Sequence, residues 1–543
     1  MTNLLAAWRA PARSTIPDSL LPVVEAHPDK TAVVFPDEEL TYGRLWEQVV
    51  AVANGLTELG VERNDCVAVM MRNSADQLMT WLAASLLGAV FVPINTAYAG
   101  SYLEHQLTVV APPVFVVDEH LASTAFEVLP RIDSLLHVVV RGRADTLPKL
   151  AGVSVHQMAG LRAADATRLK SSYRAQWTDH NAVIFTAGTT GPSKGSIATH
   201  NYLVRAAQQI DDIKDGREDD IYYTPLPLFH QNAMLLGALG PLMRGATAVI
   251  DEHFSVSDFW NRVRRHGATQ LSILGPMLQM LWNLPVAETD RDNSVRICLA
   301  VPVPKELHRA IEERYGFRIV LSYGLSECVP MLLYSPENPP ELGYSGSPNP
   351  IFDIRLFDED DVEVPPGEVG EVVCRPMEPH VMFEGYWNNP EATVAAWRNQ
   401  WFHTGDLARS NAKGEIAFVD RKKDYLRRRS ENISSFELEQ AINAHSAIDD
   451  CAVYGVPSEL GEEEVMVTAV LAPGAELTYE QLIDHCVANV PYFAVPRYVA
   501  FTDSLPRGPV GRILKNELRS RGVGADTYDR EAAGYVVKRR DRR

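Results

Sequence analysis

Thr186-Ala187-Gly188-Thr189-Thr190-Gly191-Pro192-Ser193-Lys194-Gly195 follows directly on the apolar run Ala182-Val183-Ile184-Phe185. The run reads as a buried strand and the ten residues as a loop at its end. Glycines let backbone N–H groups turn toward an anion, Thr and Ser add hydroxyl donors, and Lys194 adds a positive charge. Such a loop suits phosphate. It does not fit the G-x-x-x-x-G-K-[ST] spacing of a Walker loop. A Gly/Thr-rich turn on its own is also compatible with an ordinary surface turn.

The strand before this loop has company. Thr31–Phe35, Cys66–Met70 and Ala89–Pro93 are apolar, and helical runs separate them, from Gly43 to about Leu59 and from Gln77 to Leu87. Thr41 is placed to cap the first of these helices. The alternation predicts helix-covered, mostly parallel sheet. At 543 residues and 46% hydrophobic content the chain is too long for one ordinary core. The net charge of −19 argues against nucleic acid and anionic membrane as partners. Six widely spaced cysteines without a C-x-x-C pair predict reduced thiols rather than disulfides or a zinc site. The N-terminus lacks a signal-peptide pattern, and no run is apolar enough to span a bilayer, so a cytoplasmic protein is expected. The basic tail 538–543 reads as a solvated end.

The loop, taken whole, resembles the phosphate loop of the AMP-forming adenylating enzymes: acyl-CoA synthetases, luciferases and peptide-synthetase adenylation domains. Further motifs follow in that family's order. Ser322-Tyr323-Gly324-Leu325-Ser326-Glu327 resembles its Tyr-Gly-x-Thr-Glu motif, with Ser in place of Thr. Trp401-Phe402-His403-Thr404-Gly405-Asp406 and Asp420-Arg421-Lys422-Lys423-Asp424 resemble its ribose and hinge motifs. The resemblance covers nearly the whole chain. It implies an α/β fold with a large N-terminal domain over 1–420, made of helix-covered sheets plus a β unit, a hinge at 421–423, and a small mobile α+β domain over 424–543.

The resemblance also distributes roles. Thr186, Gly188, Thr189, Thr190, Gly191, Ser193 and Lys194 would cradle the phosphates of ATP. Tyr323 and Gly324 would meet adenine, the Ser326 hydroxyl the α-phosphate, and Glu327 would hold Mg²⁺, a task a carboxylate can perform. Asp406 would accept hydrogen bonds from the ribose hydroxyls, with Arg421 as a second contact. Lys423 would be the pivot of domain rotation. His230, Ala300, Val301 and Leu325 would line the substrate pocket. The Thr224–His230 stretch reads as a proline-punctuated strand ending in that histidine. Ala300-Val301 stands where the family has Gly-Ala, so a small or flat substrate is expected.

Two departures bear on the second half-reaction. The family's last motif carries a lysine that bridges substrate carboxylate and α-phosphate. Arg512 occupies that position here, and a planar guanidinium does not simply replace an ammonium; Lys515 lies three residues on. Ser430 replaces the glycine along which pantetheine threads. Three readings stay open. The first is a ligase joining a small or aromatic acid to coenzyme A, in texture nearest the carnitine/crotonobetaine-CoA branch. The second is an ATP-dependent diazotase that adenylates nitrite and passes the nitroso group to an aryl amine. The third is a non-catalytic ATP-binding homologue. A monomer or homodimer is expected.

Overall fold

The computed structural model describes residues 13–144, 147–186, 193–422, 426–428, 431–433, 435–457, 463–490, 494–508 and 511–537. They divide into two compact units: one of residues 1–354 with 374–402, the other of 355–373 with 403–543. The fold is α/β, as the sequence rhythm predicts.

The larger unit holds two seven-stranded sheets. The first runs Ser154–Gln157, His137–Arg141, Val114–Asp118, Cys66–Met70, Val90–Pro93, His180–Thr186, Lys194–Thr199. Every pairing in it is parallel except the last. The second runs Arg318–Val320, Ile297–Val301, Gln270–Leu274, Ile221–Thr224, Thr247–Ile250, Thr31–Val34, Glu39–Thr41, again parallel up to an antiparallel edge.

One hydrophobic core draws on both sheets. It joins Val67, Val69, Phe91 and Ile184 of the first to Val33, Ala248 and Ile250 of the second, through the helices Tyr42–Glu58, Ala75–Leu87 and His200–Ile213. A helix covered on all sides must be apolar or hydrogen-bonded all round. Ala75–Leu87 meets this condition: Trp81 Nε1 donates to Asn181 Oδ1 at 2.8 Å, and Ser85 accepts from Asn181 Nδ2 at 2.7 Å. Thr41 caps Tyr42–Glu58 as expected, its hydroxyl accepting from the Arg44 N–H at 3.2 Å.

The predicted strand over Thr224–His230 ends at Thr224. Pro225 and Pro227 have no N–H for a ladder. The chain turns instead, and Asn73 holds it there, donating to Leu226 O at 2.8 Å and accepting from Leu228 N at 2.7 Å.

The second unit contains an antiparallel four-stranded sheet in which one pair is parallel: Ile448–Pro457, Glu463–Leu471, Tyr498–Phe501, Tyr528–Asp529. The helices Ser435–Asn443 and Tyr479–Asn489 pack on one face around Ile442, Val453, Val467 and Ile483. Leu518, from the helix Lys515–Arg521, joins Tyr454 and Met466 in a separate cluster. Arg428 is buried in this unit, with its Nε 2.6 Å from Glu464 Oε2.

Candidate active site

In the larger unit, the strand His180–Thr186 leads to the phosphate-loop sequence at the carboxyl end of a parallel sheet, where open α/β folds bind ligands. Lys194–Thr199 returns antiparallel beside it, in a register that pairs Thr186 with Lys194 and Phe185 with Gly195. The loop is therefore spanned by a hairpin, and Thr186 Oγ1 donates across its base to Lys194 O at 3.3 Å. Gly188, Thr189, Thr190 and Gly191 lie outside the described residues. Ser193 is held from the helix Gly100–Val110: Gln106 Nε2 donates to its hydroxyl at 3.2 Å, and His105 Nε2 lies 2.9 Å from its carbonyl.

The second motif folds into a short hairpin, Tyr323–Leu325 against Cys328–Leu333. Gly324 belongs at this crossing, because a Cβ there would sit 2.9 Å from Cys328 O and 2.7 Å from Val329 Cγ2. Tyr323, Leu325 and Ser326 are half-buried, whereas Glu327 is buried. Tyr202 donates its hydroxyl to Ser326 O at 3.1 Å, and Phe383 N donates to Glu327 O at 2.8 Å. The Glu327 carboxylate accepts from the Tyr386 hydroxyl at 2.9 Å. Burial first, then the charge of Glu327, pushes the Tyr386 phenol well up, so it stays protonated and donates. Its ring carries the Lys194 ammonium, 4.6 Å from the centroid.

Tyr386, which the sequence reading passed over, thus touches two of the predicted site residues. Its signal was weak: a Gly-Tyr-Trp run among turn residues. Among the described residues no group of three or more His, Cys, Asp and Glu could by itself hold a metal. A buried, oriented single carboxylate nevertheless suits Mg²⁺, which is bound by one or two carboxylates together with substrate phosphates.

Of the pocket positions, His230 is half-buried with its ring edge-on to Phe229, 4.7 Å between centroids. Val301 is half-buried at the end of its strand. Ala300 points the other way and is fully buried in the core with Ile273 and Cys298. The six cysteines are free and buried. Cys328 and Cys374, far apart in sequence, lie with their sulfurs 3.7 Å apart, and burial pushes the Cys328 thiol well up.

In the second unit, Asp406 and Arg421 are directly opposite on paired antiparallel strands. Asp406 is buried, with its Oδ1 2.6 Å from Arg421 Nε. Glu371, also missed from sequence, organises the turn before Asp406. It accepts from Gly405 N at 3.1 Å and Lys422 Nζ at 2.9 Å, and meets His403 Nδ1 at 3.1 Å. Burial pushes its carboxyl up, but Lys422 and His403 outweigh that and hold it below the usual range.

Arg512 sits in a tight turn closed by Gly508 N donating to Arg512 O at 2.8 Å. Partial desolvation and the nearby charge of Arg421 push its guanidinium down, against the pull of Asp406. Arg512, whose side chain is exposed, thus feels the charges of Arg421 and Asp406. Lys515 is committed elsewhere: its ammonium lies 2.8 Å from Glu439 Oε1 and donates to Ser435 Oγ at 2.7 Å. Lys423 and Ser430 lie outside the described residues.

The profile of the AMP-binding enzyme matches residues 22–387, which hold the loop and the hairpin, and that of its C-terminal domain matches 437–512. The chain belongs to the AMP-binding enzyme family. This AMP-binding enzyme is 29% identical over 507 residues to a crotonobetaine/carnitine–CoA ligase of Salmonella arizonae, covering 90% of this chain and 96% of that relative. Its fold is shared with an anthranilate CoA ligase solved with anthranoyl-AMP, at a TM-score of 0.85 and 24% identity over 95% of this chain and 98% of that one. It is shared also with a benzoate CoA ligase from Burkholderia xenovorans, at a TM-score of 0.81 and 23% identity over 93% and 100% of the two chains. At such identity the two structures speak to the fold. Among the described residues no helix is long and apolar enough to cross a membrane.

Proposed function

We propose that this AMP-binding enzyme adenylates a small or aromatic carboxylic acid with ATP, releases pyrophosphate, and passes the acyl group to coenzyme A. The observation that carries the first step is the grouping of Lys194 and Glu327 around Tyr386, at the exit of the phosphate loop. Glu327 would hold Mg²⁺, which supplies charge neutralisation on the transferring phosphates when bound. Lys194 and the loop donors orient the triphosphate, and Asp406 with Arg421 binds the ribose. The carboxylate oxygen of the acid attacks the α-phosphorus and pyrophosphate leaves, so no protein nucleophile is required. Rate comes from positioning and fixed charge.

Arg512 takes the place of the family's bridging lysine in this reading, as a fixed cation toward the acid and the α-phosphate. Its place in the chain's last motif supports that assignment. Rotation of a C-terminal domain about 421–423, with Lys423 as pivot, would separate the two half-reactions. Transfer to coenzyme A is supported by the ligase relative, and the acid is taken as aromatic or small from the two structural neighbours and from Val301 at the strand end. Nitrite adenylation draws no support from these relatives. A cytoplasmic location is proposed with the ligase reading.

The test is pyrophosphate release from Mg·ATP with a panel of aryl and short-chain acids, with and without coenzyme A, products being weighed by mass spectrometry. A thioester formed only with coenzyme A is expected. Release that needs nitrite and ignores coenzyme A would overturn the assignment, and ATP binding with no release under any condition would mark a non-catalytic homologue.

A further inference from the structure

The phosphate-loop lysine and the metal-site carboxylate come from different parts of the larger unit. Lys194 opens the return strand of one sheet, and Glu327 sits in a separate hairpin. A third segment joins them. Residues 384–387 run along the return strand: Ile197 N donates to Gly385 O at 3.0 Å, Glu384 N to Ile197 O at 3.0 Å, and Trp387 N to Gly195 O at 2.8 Å. This backbone pairing fixes Tyr386 opposite Ser196. From there its hydroxyl reaches Glu327 Oε1 at 2.9 Å while its ring face lies under Lys194 Nζ at 4.6 Å.

The two contacts reinforce each other. A phenol donating to a carboxylate gains electron density in its ring, and a richer ring face attracts a cation more strongly. The same donation leaves Glu327 one fixed orientation, the service that outer partners perform for metal-binding carboxylates.

We propose that Tyr386 is a positioning residue of the adenylation site, a single phenol that sets the Glu327 carboxylate for the divalent cation and parks the Lys194 ammonium for the phosphates. The assignment rests on the functional reading above, in which Glu327 meets the metal and Lys194 the nucleotide.

Its two halves separate by substitution. Tyr386→Phe keeps the ring and removes the donor; Tyr386→Leu removes both. Two binding measurements on the full-length chain need no turnover. One is calorimetric titration of ATP in EDTA, which reads Lys194 without metal. The other is Mn²⁺ binding, followed by electron paramagnetic resonance, in the presence of a non-hydrolysable ATP analogue. Tyr386→Phe should weaken Mn²⁺ about tenfold and leave metal-free ATP affinity within about twofold of wild type, because the ring still carries the cation. Tyr386→Leu should show the same Mn²⁺ loss and, in addition, weaken metal-free ATP by about threefold. In a Glu327→Gln background, Tyr386→Phe should add nothing to the Mn²⁺ loss. Thermal melting identifies a variant that has not folded, and the near-isosteric Phe carries the test if Leu fails. A wild type that binds ATP and Mn²⁺ while Tyr386→Phe binds both equally well overturns the proposal alone. A wild type that takes up no ATP overturns the functional reading and the proposal with it.

Discussion

Replacing Lys515 with methionine asks whether the missing family lysine has merely moved three residues along the chain. Lys515 is bound to Glu439 Oε1 at 2.8 Å, with only 13% and 16% of the two side chains exposed. Glu439 also accepts from Val453 N at 2.7 Å. Burial pushes its carboxyl up, and Lys515 is the largest opposing influence. Lys515→Met keeps the stem and removes the charge. Breaking a buried pair from one side costs about 3–5 kcal/mol; with Val453 still donating, about 2–3 kcal/mol is expected at pH 8.

The cost depends on pH with a definite sign. Without its partner Glu439 rises further above its unfolded value of about 4.3, so the folded state binds the extra proton. The unfolded value is common to both proteins, so the penalty is absent below the already raised wild-type folded value, grows by about 1.4 kcal/mol per unit as pH rises from there toward the variant's folded value, and is constant above it. All nine tryptophans lie at or before Trp401. Fluorescence is thus blind to this unit, and hydrogen exchange by mass spectrometry over 435–457 is the proper assay. Exchange should be roughly 30- to 150-fold faster than wild type at pH 8 and much closer to it at pH 5. Pyrophosphate release by the folded fraction should persist. Unchanged exchange together with abolished release would refute the reasoning and give Lys515 the task assigned here to Arg512.

Glu327→Gln should lower pyrophosphate release by about tenfold to a hundredfold and raise the Mg²⁺ needed for half-activity, with an unchanged melting curve. Gly275→Ala should strongly destabilise the larger unit, because its Cβ would lie 1.7 Å from the Pro302 carbonyl oxygen. A cost of about 3 kcal/mol is expected, read as an earlier tryptophan-fluorescence transition in urea. His200 is buried and held down to about 4, by desolvation above all. Its Nδ1 accepts from Ile16 N at 3.2 Å, which requires the neutral ring. A depressed folded value means stability is complete above about pH 6.5 and falls as pH drops toward 4, by about 3 kcal/mol in total; a His200→Gln variant should show a flatter urea midpoint over that range.

The parallel α/β architecture was legible because its strands are short apolar runs separated by amphipathic or capped helices, and Thr41 is where its sequence context puts it. The predicted 224–230 strand failed because apolar content outweighed the missing N–H groups of Pro225 and Pro227. The return strand Lys194–Thr199 went unread: Gly, Ser and Thr dilute its alternation, and it is stabilised by neighbours rather than by its own composition. At the candidate site, the motif residues Lys194, Glu327, Asp406 and Arg421 could be proposed from the string. Tyr386, Glu371 and the commitment of Lys515 could not, since each acts on a group 34 to 76 residues away, and local pattern holds no information about such pairs: Tyr386 meets Glu327, Glu371 meets Gly405 and Lys422, and Lys515 meets Glu439. The facing thiols of Cys328 and Cys374 make the same point.

The pairing of residues 384–387 along Lys194–Thr199 has a consequence outside catalysis. That strand is the terminal member of its sheet, and a bare sheet margin is a template on which another chain can add. Here its outward N–H and C=O groups at Gly195 and Ile197 are consumed within the same molecule. The segment that presents Tyr386 to the site therefore also guards the enzyme against self-association, so a nick or deletion there would cost solubility as well as turnover.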